Sequence, residues 1–522
     1  MITIAVGLRI ANLKEVPPPF ADEVYAAVDF HYLIRTGHHF DGSHAGILAH
    51  IIPALDGRLA VALFGGTTVQ DFRLFSAFCG VVTVGLVIWL GRLLGDPRLG
   101  VLAGAALAVM PWHIYLSRVF IPASEYVALS VLAICLELVA LQHRSVVPAI
   151  LSALAAVGTL YLYPIAIVST PALIGTVLAF RWREVRAFSG SRILLVAGVS
   201  AIVLLIPYLL DHIFVSDPGV ANANSVIGSK LLSSHNLSVP AAVGLVVSNW
   251  LSYFSPNYVV FHGDPNPRQS IQVMGEIGWS LGLIGAFGIV LAMYRRTRAD
   301  LLLLVLTAVF PLADALTFYD APANSVRGAF GSVLWALWAG SAALGVMRAL
   351  RNQLVLNTGA IVVSAALFIQ LVLFAGYYFG PYATQYSFAF ETGYAKIYQD
   401  LRSRELQDVP ITLHAGYQRD AMLQYFSDYR LHAPDTALSC NELPFNIVHY
   451  TVLPRLFVIR EDHDFAATPG CIDQSTLISR DISDLSAVTP QPGEGVRRLD
   501  MIDQFPNDPQ RDYYTAILYL HH

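Results

Sequence analysis

The stretch of sequence that decides the fold runs from Phe72 to Leu141, FRLFSAFCGVVTVGLVIWLGRLLGDPRLGVLAGAALAVMPWHIYLSRVFIPASEYVALSVLAICLELVAL. It contains three apolar runs, at Phe72–Leu94, Leu99–Tyr115 and Val119–Leu141. Each run approaches the length of about 20 residues that a helix needs to cross a bilayer. Only short turns separate the runs, so consecutive helices must cross in opposite directions. The stretch therefore predicts a helical membrane domain.

The composition of the whole chain agrees with this prediction. Of 522 residues, 55% are hydrophobic and only 13% are charged, and the mean hydropathy is +0.56. Soluble domains contain about 45–50% apolar residues. The net charge of -5 and the lack of a long basic tract argue against nucleic acid as a partner. The chain is predicted to be a polytopic α-helical membrane protein.

Further apolar runs of spanning length lie at Val146–Tyr161, Ile165–Phe180, Ile193–Leu210, Ile271–Met293, Leu301–Phe318, Ala329–Met347 and Leu354–Tyr377. With Met1–Leu13 they predict about 11 transmembrane helices. Met1–Leu13 is too short to span. Either the true start lies upstream, or this helix is stunted and partly embedded. The N-terminus has no signal-peptide pattern, and no processed leader is predicted.

The loops between these runs differ in charge and predict the orientation. One set is short and basic, and it carries Arg92, Arg98, His143, Arg144, Arg181, Arg183, Arg186, Arg192, Arg295, Arg296, Arg298, Arg348 and Arg351. Basic loops remain on the cytoplasmic side. The alternating set is poor in Lys and Arg and includes residues 14–70 and 211–270. We therefore expect a multi-pass plasma-membrane protein with a cytoplasmic N-terminus and an exterior C-terminal domain.

The first exterior loop, residues 14–70, carries two adjacent carboxylates, Asp22 and Glu23, directly after the apolar opening segment. An ionised acid beside an apolar slab is costly unless water, a cation or a substrate meets it, so such acids are candidates for function. The alternative is that they cap a helix over Val24–Thr36, because acids are favoured at helix starts. Both exterior loops are predicted to contain short amphipathic helices at the interface. In the second loop, Val239–Tyr253 is apolar but too irregular to count as a span.

The composition divides the chain into a membrane domain, residues 1–378, and a small exterior α/β domain, residues 379–522. Predicted strands are Val409–Leu413, Leu456–Ile459 and Tyr514–Leu520, and predicted helices are Tyr394–Ser403 and Arg419–Ser427. Cys440 and Cys471 fall in this domain and are expected either to form a disulfide or to remain two thiols. Cys79 and Cys135 lie in predicted spans and are expected to pack as small apolar residues.

Several stretches resemble one known family. The truncated first helix followed by FADEVY (residues 20–25), and most of Phe72–Leu141, are similar to GT-C superfamily glycosyltransferases. The closest subgroup contains protein O-mannosyltransferases and lipid A aminoarabinose transferases. Within the stretch, the Gly-Arg-Leu-Leu-Gly turn and the Pro-x-His-x-x-x-Ser-Arg segment are characteristic. YFSPNYVVFHGDPNPRQS, residues 253–270, resembles an exterior motif of bacterial members. The resemblance covers about the first 350 residues.

The resemblance implies transfer of a sugar from a polyprenyl-phosphate-linked donor to an acceptor outside the membrane, with inversion. An inverting displacement needs a carboxylate to take the acceptor proton. The position of Asp22 in the motif makes it the candidate base. Glu23 is left with three alternatives: orienting the acceptor, binding a cation, or capping the helix. The acceptor is a lipid, a polysaccharide or a protein, and membrane lipids are expected partners.

The leaving lipid phosphate needs positive charge, and guanidinium groups suit it because they donate paired hydrogen bonds. The exterior candidates are Arg118, Arg268 and Arg327. For Arg118 the alternative is an interfacial anchor, and for the other two it is a solvated loop charge. Glu125 lies about two helical turns beyond Arg118 and is either a second acid of the site or a structural partner of Arg118.

A divalent cation is a further candidate component. His113, His262 and Asp264 are candidate ligands, together with Asp22 or Glu23, because hard cations and zinc accept such groups. Their spacing in the sequence is not that of a metal motif, and a single interfacial His more often serves as a hydrogen-bonded structural residue. Whether the protein uses a cation is left open.

Two other functions compete with sugar transfer. A polytopic transporter or lipid flippase would also need many spans and a few embedded charges, but the halves of this sequence show no internal repeat. The second alternative is an inactive scaffold whose exterior domain recognises a partner. It predicts that Asp22→Asn leaves function intact. We therefore expect a glycosyltransferase and keep the transporter as the alternative.

Overall fold

The structure, a computed structural model, describes residues 1–36, 55–66, 68–188, 198–199, 201–203, 205–206, 238–317, 323–350, 352–386, 389–390, 456–460, 495–503 and 514–521. Most of these residues are helical, as predicted. Four of the described helices are long and apolar enough to cross a membrane: Val69–Leu93, Ala123–His143, Gly331–Ala349 and Gln353–Tyr378. Four shorter apolar helices accompany them: Pro97–Ala108, Val146–Leu162, Ala166–Phe180 and Trp279–Arg295. The chain is a multi-pass helical membrane protein.

The helices up to the first long undescribed segment are α1 (Ile2–Ile10), α2 (Ala21–Thr36), α3 (Leu55–Phe64), α4 (Val69–Leu93), α5 (Pro97–Ala108), α6 (Pro111–Leu116), α7 (Ala123–His143), α8 (Val146–Leu162), α9 (Ala166–Phe180) and α10 (Trp182–Phe188). Those that follow are α11 (Val239–Ser252), α12 (Trp279–Arg295), α13 (Arg298–Val309), α14 (Leu312–Ala315), α15 (Gly331–Ala349), α16 (Gln353–Tyr378) and α17 (Tyr382–Gln385). A π-helical turn at Asn257–Phe261 precedes α12.

The helices that form differ from the prediction in several places. The run Leu301–Phe318 is divided between α13 and α14. The run Leu99–Tyr115 is two helices, because the chain is extended at Met110 and Pro111 starts α6. The run Ile271–Met293 is helical only from Trp279, and residues before it form an irregular segment that ends at Gly278 with φ 80°. The stretch Val239–Tyr253, not counted as a span, forms the 14-residue helix α11. The predicted span Ile193–Leu210 lies largely outside the described residues.

The core of the membrane portion is built around α15. Its residues from Gly331 to Ala342 are buried, and it packs against α5 and α12, while α7 packs against α8. At two positions in this region, a glycine allows the main chains of two neighbouring helices to come close together. A Cβ at Gly100 would collide with the carbonyl oxygen of Ile88, and one at Gly288 with that of Trp338. Small residues at such crossings let membrane helices pack closely.

Helix α16 is attached in a different way, because most of its apolar side chains are exposed. Its buried Gln370 accepts hydrogen bonds from the backbone N–H of Ser280 at 2.7 Å and the Ser280 hydroxyl at 2.6 Å. The Gln370 amide also donates to the carbonyl of Ile277 at 3.1 Å. Gln370 therefore supplies partners at the start of α12, where backbone groups lack helical ones.

The chain divides into two compact units. The first contains residues 1–11, 46–56 and 73–377, and the second contains residues 12–45, 57–72 and 378–522. Within the second unit, β1 (Leu456–Arg460) pairs in parallel with β3 (Tyr514–His521), and β2 (Gly495–Asp503) pairs antiparallel with β3. Strands thus form at two predicted places, and β2 was not predicted. The predicted strand Val409–Leu413 and both predicted C-terminal helices lie outside the described residues, and the α/β domain stays a prediction.

Candidate functional site

Asp22 and Glu23 lie in the first turn of α2, which begins three residues earlier than the predicted start at Val24. The carbonyl of Phe20 accepts the N–H of Val24 at 3.0 Å. The Asp22 side chain is exposed, whereas Glu23 is buried on the helix face that Val24 shares. The two acids therefore have different environments, and both stand where a helix dipole favours negative charge. Asp22 is the acid that solvent can reach.

An aromatic cluster, defined as Phe20, Tyr378, Tyr382 and Phe390, fixes the start of α2. The rings of Phe20 and Phe390 meet edge to face with centroids 6.1 Å apart. Tyr382 stands 5.6 Å from Phe390 and 5.5 Å from Tyr378. All four side chains are buried, and such pairs add stability beyond their buried area. The segment after α16 thus anchors Phe20, two residues before Asp22, and no local sequence pattern predicts this contact.

Arg118 binds the C-terminal end of α1. Its guanidinium donates to the carbonyls of Leu8 at 2.8 Å and Ala11 at 2.6 Å, and its side chain is fully buried. Cations at this end of a helix satisfy its last carbonyls and favour its dipole. These contacts support a structural role for Arg118, and a phosphate-binding role stays a prediction.

Arg9, which sequence reasoning missed, joins α1 to the α5–α6 junction. It donates to the carbonyls of Ala5 at 2.9 Å and Ala108 at 3.2 Å. Its guanidinium also lies 2.6 Å from Nδ1 of His113, which is buried. His113 is therefore occupied by a structural contact in α6. A buried arginine in the opening helix was visible in the sequence only as one charge in an apolar segment.

Glu125 lies in the first turn of α7 and is 3% exposed. One carboxylate oxygen accepts a hydrogen bond from the Ser76 hydroxyl of α4 at 2.7 Å. This contact joins two of the helices that are long enough to span. The contact is with Ser76, so both alternatives for Glu125, a second acid of the site or a structural partner of Arg118, stay predictions.

The polar block His262–Arg268 forms a buried hydrogen-bond network with the segment before α15. Asp264 accepts the N–H of Ser325 at 2.7 Å and that of Asn266 at 2.8 Å. Glu276 accepts the N–H of Asp264 at 2.9 Å and the Ser325 hydroxyl at 2.5 Å. Asp264 and Ser325 are fully buried, and Glu276 is 3% exposed. The acidic centre of the block is thus buried, whereas His262 and Pro265 in the same block are exposed.

Burial decides the protonation of the two carboxyls, which lie outside the apolar helices. Removal from water raises the pKa of Asp264 to about 7, although hydrogen bonds from the N–H groups of Ser325 and Asn266 act in the opposite direction. Burial also raises the pKa of Glu276 to about 8, against hydrogen bonds from Ser325 and Asp264. Glu276 falls within the predicted span Ile271–Met293, and an acid inside an apolar run was the signal that could have found it.

Arg268 and Arg327 lie in the two segments that this network joins. The N–H of Arg268 donates to the Asn266 side chain at 2.9 Å, and the hydroxyl of Tyr115 donates to the Arg268 carbonyl. The N–H of Arg327 donates to the Asn324 side chain at 3.0 Å. Both arginine side chains are half-buried. Hydrogen bonds therefore hold the main chain in place at both arginines.

The Arg327 guanidinium has partners of its own. It donates to the Thr317 hydroxyl at 2.5 Å and lies 3.5 Å from a carboxylate oxygen of Asp314. Asp314 in turn accepts the Tyr253 hydroxyl at 2.6 Å and the N–H of Asn324 at 3.2 Å. This argues against Arg327 as a simple solvated charge. Asp314 lies within the predicted span Leu301–Phe318 and was also missed.

The candidate metal ligands do not come together. His113 contacts Arg9, His262 lies 2.7 Å from the Asn257 amide oxygen, and Asp264 binds the main-chain N–H groups named above. Among the residues that the structure describes, no group of three His, Cys, Asp or Glu side chains is placed to hold a metal ion. Whether the protein uses a divalent cation stays a prediction.

Two of the four cysteines lie in described helices. Cys135 of α7 is buried and Cys79 of α4 is half-buried, in the spans where they were predicted. Cys440 and Cys471 lie outside the described residues.

Comparisons with known proteins point to one family. The sequence model of the family described as dolichyl-phosphate-mannose-protein mannosyltransferase matches residues 53–210. The crystal structure of ArnT from Cupriavidus metallidurans bound to undecaprenyl phosphate shares the fold, with a TM-score of 0.50 over 85% of this chain and 86% of that chain, at 13% identity. The family model and the shared fold agree with the resemblance described from the sequence.

A second GT-C structure is similar over a smaller part of its own length. The archaeal oligosaccharyltransferase AglB from Archaeoglobus fulgidus, in complex with an inhibitory peptide and a dolichol-phosphate, has a TM-score of 0.45 at 14% identity. The match covers 84% of this chain and 64% of the AglB chain, so this chain spans less than two thirds of that protein. Among curated proteins, none matches this sequence.

Proposed function

We propose that the protein transfers a sugar from a polyprenyl-phosphate-linked donor to a hydroxyl acceptor on the exterior face of the membrane, with inversion at the anomeric carbon. The family match and the fold shared with an undecaprenyl-phosphate-bound ArnT support the donor class. The observation that carries the proposal is the exposed Asp22 beside the buried Glu23 at the start of α2. An accessible carboxylate held by a rigid helix start suits a general base.

The chemistry follows from these parts. Asp22 takes the proton of the acceptor hydroxyl as its oxygen attacks the anomeric carbon, and the bond from that carbon to the phosphate oxygen breaks. The electron pair leaves with the polyprenyl phosphate, which gains one negative charge. Arg268 and Arg327 receive that charge, because a guanidinium group binds phosphate through paired hydrogen bonds. Arg118 and Glu125 are kept as candidates of lower rank, since their contacts are structural.

The location belongs to the proposal as well. The short basic loops are assigned to the cytoplasm, and residues 14–70, the block at His262–Arg268 and the C-terminal region to the exterior. A lipid, a polysaccharide or a protein serves as acceptor. A divalent cation is not given a step, because the described residues do not form a site for one.

The test is donor-dependent sugar transfer by protein reconstituted in lipid vesicles. A panel of polyprenyl-phosphate hexoses and pentoses is offered with a simple hydroxyl acceptor, and product configuration is read by NMR. We expect one donor to release polyprenyl phosphate and to give a product of inverted configuration. Retention of configuration would contradict the mechanism. Flux of the donor across the bilayer without cleavage would instead support the transporter.

A further inference from the structure

A continuous path of hydrogen bonds runs between the two arginines of the proposed phosphate site. The N–H of Arg268 donates to the side chain of Asn266. The N–H of Asn266 in turn donates to the carboxylate of Asp264. The other oxygen of Asp264 accepts the N–H of Ser325. Ser325 follows Asn324 in the chain, and the Asn324 side chain accepts the N–H of Arg327. The segments of Arg268 and Arg327 are therefore tied together at the main chain.

Ser325 is the centre of this path, because each of its polar groups binds a different part of the chain. Its N–H donates to Asp264 at 2.7 Å and its hydroxyl to Glu276 at 2.5 Å. Its carbonyl accepts the indole N–H of Trp112 at 2.9 Å. The N–H of Trp112 also donates to the carbonyl of Glu276 at 2.8 Å. One serine in the segment before α15 thus joins the block after α11, the segment before α12, and helix α6.

The packing around this serine leaves no room for adjustment. Ser325, Asp264 and Trp112 are at most 1% exposed. Gly263 has φ 81°, and a Cβ there would collide with Ser270 and approach Glu276 at 2.8 Å. Only glycine adopts this conformation at no steric cost. Buried networks that are fully satisfied are rigid, and each lost bond leaves a buried group unpaired.

We propose that Asp264, Glu276 and Ser325 are positioning residues that hold Arg268 and Arg327 in a fixed relation for the phosphate of a polyprenyl-phosphate lipid. The inference rests on the proposed function, because it assumes that the two arginines bind that phosphate. A site whose charged groups are held before the ligand arrives loses less conformational entropy on binding. Asp264 is thereby given a structural role in place of metal binding.

The test measures binding of undecaprenyl phosphate, without a sugar, to the full-length protein in detergent. Ser325→Ala keeps the N–H bond to Asp264 but removes the hydroxyl bond to Glu276, which holds Ser325 in place on the path. We expect the dissociation constant to rise about tenfold, as for one lost hydrogen bond. The matched control is Ser332→Ala, since the buried Ser332 hydroxyl donates to the Ala329 carbonyl at 2.7 Å and is outside the path. The control is expected to bind as the wild type does.

A milder pair of variants keeps the test decisive if Ser325→Ala does not fold. Asn266 is half-buried, and Asn266→Ala removes the acceptor for the Arg268 N–H. Asn266→Ser retains a short oxygen that closes the same turn. We expect weaker binding by the alanine variant and rescue by the serine variant. In turnover, the donor KM should rise while kcat changes little, which general destabilisation would not produce.

The outcomes separate this inference from the proposed function. If Arg268→Gln and Arg327→Gln weaken binding while Ser325→Ala and Asn266→Ala do not, the arginines bind phosphate but need no positioning, and the inference is wrong. If both arginine variants bind like the wild type, the phosphate site itself is wrong. Equal loss in Ser325→Ala and Ser332→Ala would assign the effect to stability and would also overturn the inference.

Discussion

The fold changes the pH at which the carboxyl of Glu276 loses its proton. Burial raises its pKa from the ordinary value of 4.5 to about 8, and Asp264 and Tyr258 are the titratable groups that face it. Between pH 4.5 and 8, the Glu276 carboxyl binds its proton more tightly in the folded protein than in the unfolded chain. The contribution of Glu276 to the free energy of unfolding is therefore largest below pH 4.5 and falls as the pH rises to 8.

Glu276→Gln is expected to weaken this pH dependence. The amide oxygen still accepts the Ser325 hydroxyl and the Asp264 N–H, but the side chain no longer titrates. The melting temperature of the variant should fall less than that of the wild type between pH 4.5 and 8. Glu184→Gln, at a partly exposed glutamate paired with Arg181, is the control. An unchanged slope in Glu276→Gln would show that this carboxyl does not govern the transition.

Sequence reasoning found some residues of the network and missed others for a physical reason. Asp264 and Arg268 were visible because a polar, turn-rich block after an apolar stretch needs water or a ligand. Ser325 lies 61 positions from Asp264 in the sequence, and local sequence patterns do not predict contacts between residues so far apart in the chain. The burial of Asp264 was likewise invisible, and the structure replaces its candidate metal contacts with main-chain donors.

The start of α2 is the element whose placement matters most to the proposed chemistry. A change of a few tenths of an ångström or a small rotation there moves the Asp22 carboxylate, and reactions depend steeply on such alignment. Phe20, whose carbonyl begins the helical bonding of α2, is packed on Phe390. The aromatic cluster therefore positions the Asp22 carboxylate by holding the start of α2.

Phe390→Ala is expected to lower the rate of sugar transfer by about tenfold or more, because it opens a cavity at this anchor. Donor affinity should change little, and amide hydrogen exchange at residues 22–28 should become faster. Phe390→Leu, which keeps apolar volume, should retain more activity. Phe368→Ala is the control, since Phe368 on α16 is 66% exposed. Slow exchange and full activity in Phe390→Ala would remove the role assigned to the cluster.

Helix existence was more predictable than helix limits. The runs at Val146–Tyr161, Ile165–Phe180 and Ala329–Met347 became helices within a few residues of the prediction. The residues 271–278 did not, although Ile271, Val273 and Met274 continue the apolar pattern of α12. Gly275 contacts the main chain of Val259 too closely for any side chain. That approach is a tertiary contact, which hydropathy does not encode.

At the scale of the whole molecule the sequence predicted the class of fold, because apolar runs of spanning length leave few alternatives. Four described helices meet the criteria for a span, so the figure of about 11 stays a prediction. The orientation depends on loop charge alone. Two strands of the C-terminal region were predicted from their own apolar residues, whereas the pairing order β1–β3–β2 was not predicted.

Cysteine labelling tests the orientation. In a variant whose four native cysteines are replaced by alanine, Pro265→Cys should react with a membrane-impermeant maleimide in intact cells. Pro265 is exposed and lies in the block assigned to the exterior. Arg98→Cys, at an exposed position in a basic turn, should react only after permeabilisation. The reverse pattern would invert the proposed topology and place Asp22 on the cytoplasmic side.

The central claim is that Asp22 is the base of a transfer from a polyprenyl-phosphate sugar. Its most direct test is single-turnover transfer by Asp22→Asn in lipid vesicles, with donor binding measured on the same protein. We predict that transfer falls by at least about a hundredfold, as for loss of a general base, while donor binding is retained. Transfer at the wild-type rate by Asp22→Asn would contradict the account and move the base to another carboxylate.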